Sequence, residues 1–265
     1  MEMDERMNKL YLPLFEKING WREKSGKKTF IVGINGSQGI GKSFVCAKLI
    51  KMFAEKNINA VTVSIDDFYL TLAEQTEIYK MGNPYLKERA WPGTHDIKLG
   101  EQTLLNLINT TGKVRVPIYD KSLYAGKGDR LKEEDWKVVD APPDIILFEG
   151  WMLGFSPRDD IKDPNLDFVN QKLNDYKPWY KYLDAFVFLV PEDTSYIVDW
   201  RIEAEENMKK TGKTGMTEDE VRNYINHFMI AYDLYLPNLK SPIEGPTLKI
   251  EVGKDRMPVN NDWQV

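Results

Sequence analysis

Eight residues, Gly36-Ser37-Gln38-Gly39-Ile40-Gly41-Lys42-Ser43, fit the spacing G-x-x-x-x-G-K-[ST]. Their types define a chemistry. Glycines let the backbone pass close to a polyphosphate and turn its N–H groups inward. A helix starting at the end of the loop adds unpaired N–H groups and the positive end of its dipole. Lys42 supplies a mobile cation to the β- and γ-phosphates, and Ser43 a hydroxyl to Mg²⁺. The whole run from Gly36 to Ser43 is the candidate nucleotide cradle.

Carboxylates follow at strand ends. Asp66 and Asp67 come directly after VTVSI (61–65). In open α/β sheets, residues at the carboxyl ends of strands face the ligand crevice. Phosphoryl transfer to a hydroxyl needs an acceptor that orients that group and takes its proton. An unperturbed Asp is ionised at neutral pH and can serve. Glu149 ends the apolar run DIILFEG (144–150) and fits the second acid of a phosphate-loop enzyme, holding Mg²⁺ directly or through water.

Other groups are open to two readings. The loop Trp91-Pro92-Gly93-Thr94-His95-Asp96 carries one of only two histidines, and Asp96 reads equally as a helix cap. Lys121, Lys127 and Arg130 fall close together, either as a clamp for an acceptor's carboxylate or phosphate or as a solvated face. Arg201, near Lys209, Lys210 and Lys213, fits a mobile lid that stabilises charge on the transferred group. It also has an i,i+4 partner in Glu205. His227, on an apolar helix face, and Cys46, behind the phosphate loop, read as structural.

The elements that must position these groups alternate. Strand patterns cover 29–34, 61–65, 145–148, 185–190 and 247–252. Helical patterns cover 4–19 (with Pro13 as a kink or break), the stretch after the phosphate loop to about Lys56, 71–89 around a clear turn at Met81-Gly82-Asn83-Pro84, 98–109, 195–210 and 217–236. The last opens on Thr217-Glu218-Asp219-Glu220, a capping box. Residues 20–28 read as a charged connector and 159–182 as a polar helical insertion. The expectation is an α/β fold: a P-loop kinase-like five-stranded parallel sheet with helices on both faces and a helical lid or insertion. A single domain spans 1–265, with an acceptor-side segment at about 67–135 and a lid at about 200–216.

Composition narrows the classes. A net charge of −5 disfavours non-specific nucleic-acid binding. One cysteine allows no intrachain disulfide and suits a reducing compartment. The acidic start Met1-Glu2-Met3-Asp4-Glu5 does not read as a signal or transit peptide, and no apolar run reaches membrane-spanning length. A cytoplasmic protein is expected, with no membrane or nucleic-acid partner. Oligomeric state is not readable.

Beyond the phosphate loop, several stretches resemble one family in order. They are Ser64-Ile65-Asp66-Asp67-Phe68-Tyr69-Leu70-Thr71, Pro92-Gly93-Thr94-His95-Asp96, Tyr119-Asp120-Lys121-Ser122 with Gly128-Asp129-Arg130, and Phe148-Glu149-Gly150-Trp151-Met152-Leu153-Gly154-Phe155. Trp200-Arg201, Gly215-Met216-Thr217 and Tyr235-Leu236 follow. The chain resembles plant-type D-glycerate 3-kinase and its fungal relatives, P-loop kinases near uridine kinase, phosphoribulokinase and pantothenate kinase. The resemblance implies Asp66, Lys42 and Arg201 as catalytic, with Ser43 and Glu149 at the metal. It implies acceptor contacts among Asp67, Tyr69, Arg89, His95, Asp96, Tyr119, Lys121 and Arg130. Arg89-Ala90-Trp91-Pro92 departs from the family's Arg-Gly before that segment, and Met229-Ile230 lacks an expected proline. The implied activity is an ATP- and Mg²⁺-dependent kinase for a small hydroxyl compound, D-glycerate leading. A nucleoside, pantothenate-like or sugar-phosphate acceptor, or a nucleotide-dependent binding switch, are the alternatives.

Overall fold

The computed structural model describes residues 5–210 and 215–260. Lys213 and the 211–214 part of the expected lid, like residues 1–4 and 261–265, lie outside the described residues. Five strands form one parallel sheet: β1 (Phe30–Gly36), β2 (Ala60–Ser64), β7 (Ile145–Gly150), β8 (Ala185–Pro191) and β9 (Thr247–Val252). Their order is β2-β7-β1-β8-β9, every pair parallel. The three central strands are buried at every residue, as continuous apolar runs covered on both faces must be. The edge strands β2 and β9 alternate instead.

The helices are α1 (Leu12–Ser25), α2 (Lys42–Glu55), α3 (Leu72–Tyr79), α4 (Ile97–Asn109), α5 (Pro164–Lys172), α6 (Lys177–Tyr180), α7 (Tyr196–Lys210) and α8 (Glu218–Tyr235). Two small antiparallel ladders stand outside the main sheet. One pairs β3 (Gly112–Val116) with β6 (Lys137–Ala141), and the other pairs β4 (Tyr119–Asp120) with β5 (Asp129–Arg130).

Three expectations change. The stretch 20–28 is not a connector: α1 runs through Gly20 to Ser25 and stops at Gly26, whose φ of +62° ends the helix in the left-handed region. A glycine inside a helix costs about 1 kcal/mol, and the buried face of Leu14, Phe15 and Ile18 outweighs it. The stretch 159–182 is not simply polar. Leu166, Val169, Leu173, Tyr176 and Trp179 are buried, and Trp179 packs edge-on against Phe148 of β7 at 5.5 Å. The turn expected at 81–84 is present, with Gly82 at φ +75°, but only the first half of 71–89 is an α-helix: α3 ends at Tyr79, and a single short turn of helix, Pro84–Leu86, follows.

Candidate active site

Register brings the charged residues together. Ser64, the last residue of β2, stands opposite Glu149 of β7, and Glu149 stands opposite Ile34 of β1. Asp66 lies two residues past Ser64, and the phosphate loop begins at Gly36, two residues past Ile34. All leave the same carboxyl edge of the sheet.

The phosphate loop is closed by its glycines. Gly39 and Gly41 have φ of +79° and +103°, which side chains with a Cβ rarely adopt. Gly41 is the N-cap of α2 and makes no side-chain capping bond, so the helix presents its first N–H groups to an anion. Lys42 donates to the Ser37 carbonyl at 3.2 Å. Burial lowers the pKa of its ammonium, while Glu149 and Asp66 oppose that shift. Both carboxylates therefore act electrostatically on Lys42. Ser43 is exposed in the first turn of α2.

Asp66 is gripped from two sides. Lys121 Nζ lies 2.5 Å from Oδ2, and the Tyr69 hydroxyl donates to Oδ1 at 2.9 Å. Burial alone would raise its pKa. Lys121, with His95 and the Tyr69 hydrogen bond, overrides this and holds it at about 2. Lys121 is correspondingly held charged by Asp66. Tyr69 is in turn packed by the His95 ring at 4.4 Å and by Tyr119 edge-on at 5.2 Å. His95 is buried, its Nδ1 lies 2.7 Å from the Tyr176 hydroxyl, and burial pushes it down to about 3. It is a neutral buttress of Tyr69.

The remaining acceptor-side residues build scaffold. Asp67 accepts from the Tyr119 N–H at 3.2 Å, tying β4 to the turn after β2, and burial raises its carboxyl to about 6. Asp96 caps α4 by accepting from the Leu99 N–H at 3.0 Å. Its other oxygen takes Arg130 at 3.3 Å, and Arg130 also reaches the Tyr69 carbonyl. Arg130 is therefore a half-buried strut between α4 and β5. Arg89 donates to the carbonyls of Gly126 (2.9 Å) and Lys127 (2.6 Å), with its guanidinium over the Tyr119 ring. Arg201 pairs with Glu205 at 3.2 Å on α7, as the i,i+4 spacing allows.

Glu149 is 7% exposed, and burial, the largest influence, raises its carboxyl against the pull of Lys42. Among the described residues, no group of three His, Cys, Asp or Glu side chains holds a metal alone. One buried carboxylate and one hydroxyl fit Mg²⁺, which keeps waters and takes its other ligands from phosphate oxygens.

Three site residues gave no sequence signal. Tyr176 sits in the insertion, Tyr232 on the apolar face of α8, and Arg256 in the turn after β9. The Tyr232 hydroxyl accepts from the Gln38 N–H at 3.0 Å, and Arg256 Nε donates to the Gly39 carbonyl at 2.9 Å. Partners this remote in sequence follow no local spacing.

Known proteins resemble this chain in sequence and fold. Residues 31–240 match the model of the Phosphoribulokinase / Uridine kinase family. A chloroplastic D-glycerate 3-kinase of Arabidopsis thaliana is 39% identical over 86% of this chain, which spans about half (54%) of that protein's length. The uncharacterized kinase mug58 of Schizosaccharomyces pombe is 35% identical over 93% of this chain and 97% of its own. A solved D-glycerate 3-kinase from Cryptococcus neoformans superimposes with a TM-score of 0.84 at 30% identity, covering 95% of this chain and 98% of that one. With residues 31–240 matched by the family's model, the chain belongs to the phosphoribulokinase/uridine kinase family of P-loop kinases.

Proposed function

We propose that this chain transfers the γ-phosphoryl group of ATP to a hydroxyl of a small anionic acceptor, with D-glycerate the leading substrate and 3-phosphoglycerate its product. The observation that carries this reading is the Asp66–Lys121 pair, set in the field of Lys42 and Glu149 at the carboxyl edge of the sheet. A nucleotide switch has no use for such a pair. The names of the plant and fungal relatives favour glycerate among the possible acceptors.

The residues divide the work. The phosphate-loop N–H groups and Lys42 hold the β- and γ-phosphates. Ser43 and Glu149 hold Mg²⁺, which neutralises phosphate charge when bound. Asp66 accepts a hydrogen bond from the acceptor hydroxyl, with its carboxylate already ionised and aimed by Tyr69. As the acceptor oxygen bonds to the γ-phosphorus, the bridging P–O bond to ADP breaks and the hydroxyl proton passes to Asp66. Lys121, beside Asp66, is the cation for the acceptor's carboxylate. Arg201, released from Glu205, stabilises the transferring group and helps exclude water.

ADP release measured with D-glycerate, uridine, pantothenate and a pentose phosphate, each with MgATP, tests this. Rapid turnover on D-glycerate, with 3-phosphoglycerate recovered, is expected. Zero signal with glycerate beside a strong one with uridine would end the leading assignment. Slow turnover that no hydroxyl compound accelerates would favour a switch.

A further inference from the structure

Arg256 belongs to no motif, yet it touches the centre of the nucleotide cradle. It lies in the turn after β9 with φ of +61°, a left-handed backbone conformation that non-glycine residues rarely adopt. The turn is held by the Gly253 N–H to the Met257 carbonyl at 2.8 Å and by the Arg256 N–H to the Gly253 carbonyl at 2.9 Å. The strained backbone aims a long side chain at the phosphate loop. Nε donates to the Gly39 carbonyl at 2.9 Å, and Nη1 pairs with Glu203 of α7 at 2.7 Å. The guanidinium lies over the Trp200 ring at 5.6 Å. Trp200 is itself anchored to the turn through its Nε1–H and the Lys254 carbonyl at 2.7 Å.

We propose that Arg256 is a positioning residue that fixes the phosphate loop for nucleotide and couples it to the lid helix α7. The physical case rests on peptide orientation. Gly39 and Gly41 make the loop easy to bend and equally easy to bend wrongly. A carbonyl turned into the cradle would face the phosphates with a negative dipole. Arg256 engages the Gly39 carbonyl, and Tyr232 of α8 engages the Gln38 N–H. Two consecutive residues of the loop are thus fixed from outside the motif. The same guanidinium holds Glu203, two residues past Arg201, so the arginine expected over the γ-phosphate and the cradle beneath share one fixed reference. A planar fork donating in two directions suits this role, and a lysine's single point charge does not.

The inference rests on the loop being the nucleotide site. Binding of MgADP and of a non-hydrolysable MgATP analogue is measured by calorimetry on the full chain. Wild type, Arg256→Ala, Arg256→Lys and Glu203→Gln are compared, with thermal unfolding and steady-state kinetics for each. Losing a charge-assisted bond to the loop predicts roughly tenfold or greater weakening of nucleotide binding in Arg256→Ala. The KM for ATP rises with it, while the acceptor KM stays within about twofold. Arg256→Lys recovers only a part, and Glu203→Gln weakens nucleotide binding several-fold with the loop bond intact. If Arg256→Ala does not fold, the other two variants decide. Unchanged nucleotide affinity in variants that fold, beside normal wild-type binding, overturns the clamp, as does an acceptor KM that rises as far as that for ATP. A wild-type chain that binds no nucleotide overturns the functional reading and the clamp with it.

Discussion

Lys121 Nζ sits 2.5 Å from Asp66 Oδ2, and this pairing decides how the site responds to pH. Burial is the largest influence on Asp66 and acts to protonate it, and Lys121 reverses the sign. In the wild type the carboxylate therefore stays ionised down to about pH 2, and no acid limb near neutrality arises from it. Replacing Lys121 by Ala leaves burial dominant, so the Asp66 pKa moves up. The acid limb of kcat/KM should then move to higher pH, with activity falling as pH is lowered through the new value. Profiles of both proteins across the acidic range check this. An unmoved limb would show that Lys121 does not govern Asp66.

Asp66→Asn keeps the shape of the side chain and removes the charge. Turnover is expected to fall by roughly a hundredfold or more, while nucleotide affinity survives because the loop is untouched. Single-turnover assays beside calorimetry with MgADP separate the two. Near-wild-type turnover with the true acceptor would mean that another group takes the proton.

Glu149→Gln removes a buried carboxylate from the surroundings of Lys42. The Mg²⁺ concentration for half-maximal rate should rise by about tenfold or more, while metal-free nucleotide binding should be retained or strengthened, because Lys42 loses an opposing charge. A magnesium titration of both proteins measures it. An unchanged half-saturation point would take Glu149 out of the metal's coordination.

Asp96 shows how far sequence could reach. The loop His-Asp was open to an acceptor role or a cap, and the geometry makes Asp96 a cap and a partner of Arg130. The parallel sheet was legible because β1, β7 and β8 are unbroken apolar runs and the phosphate loop has a fixed spacing. Asp66 and Glu149 were legible as acids at strand ends. β6 was not, since KVVDA is half exposed and needs its partner β3 to look like a strand. The neutral state of His95 was not legible either, for it comes from burial among residues that include Tyr176, eighty-one positions away in the chain. Asp96→Ala should therefore cost about 1–2 kcal/mol of stability through the lost cap, and more if Arg130 is left half-buried without its partner. Asp96→Asn should recover the cap. Chemical denaturation measures both, and a variant with normal stability but a raised acceptor KM would restore Asp96 to the acceptor site.

Asp67 makes a prediction about stability. Burial lifts its carboxyl to about 6 in the folded chain, above the usual Asp value of about 4. A raised folded pKa means that the native state binds the proton more tightly than the unfolded state does. Its contribution is fully present below the unfolded pKa and is lost as pH rises through about 6. Wild-type stability should thus carry a component that declines from about pH 4 to about pH 6, and Asp67→Asn should lack it. The amide oxygen still accepts from the Tyr119 N–H, so the tie to β4 survives in the variant. Unfolding free energies measured at intervals across that range, for both proteins in the same buffers, give the difference directly. Parallel curves would show that Asp67 does not titrate there.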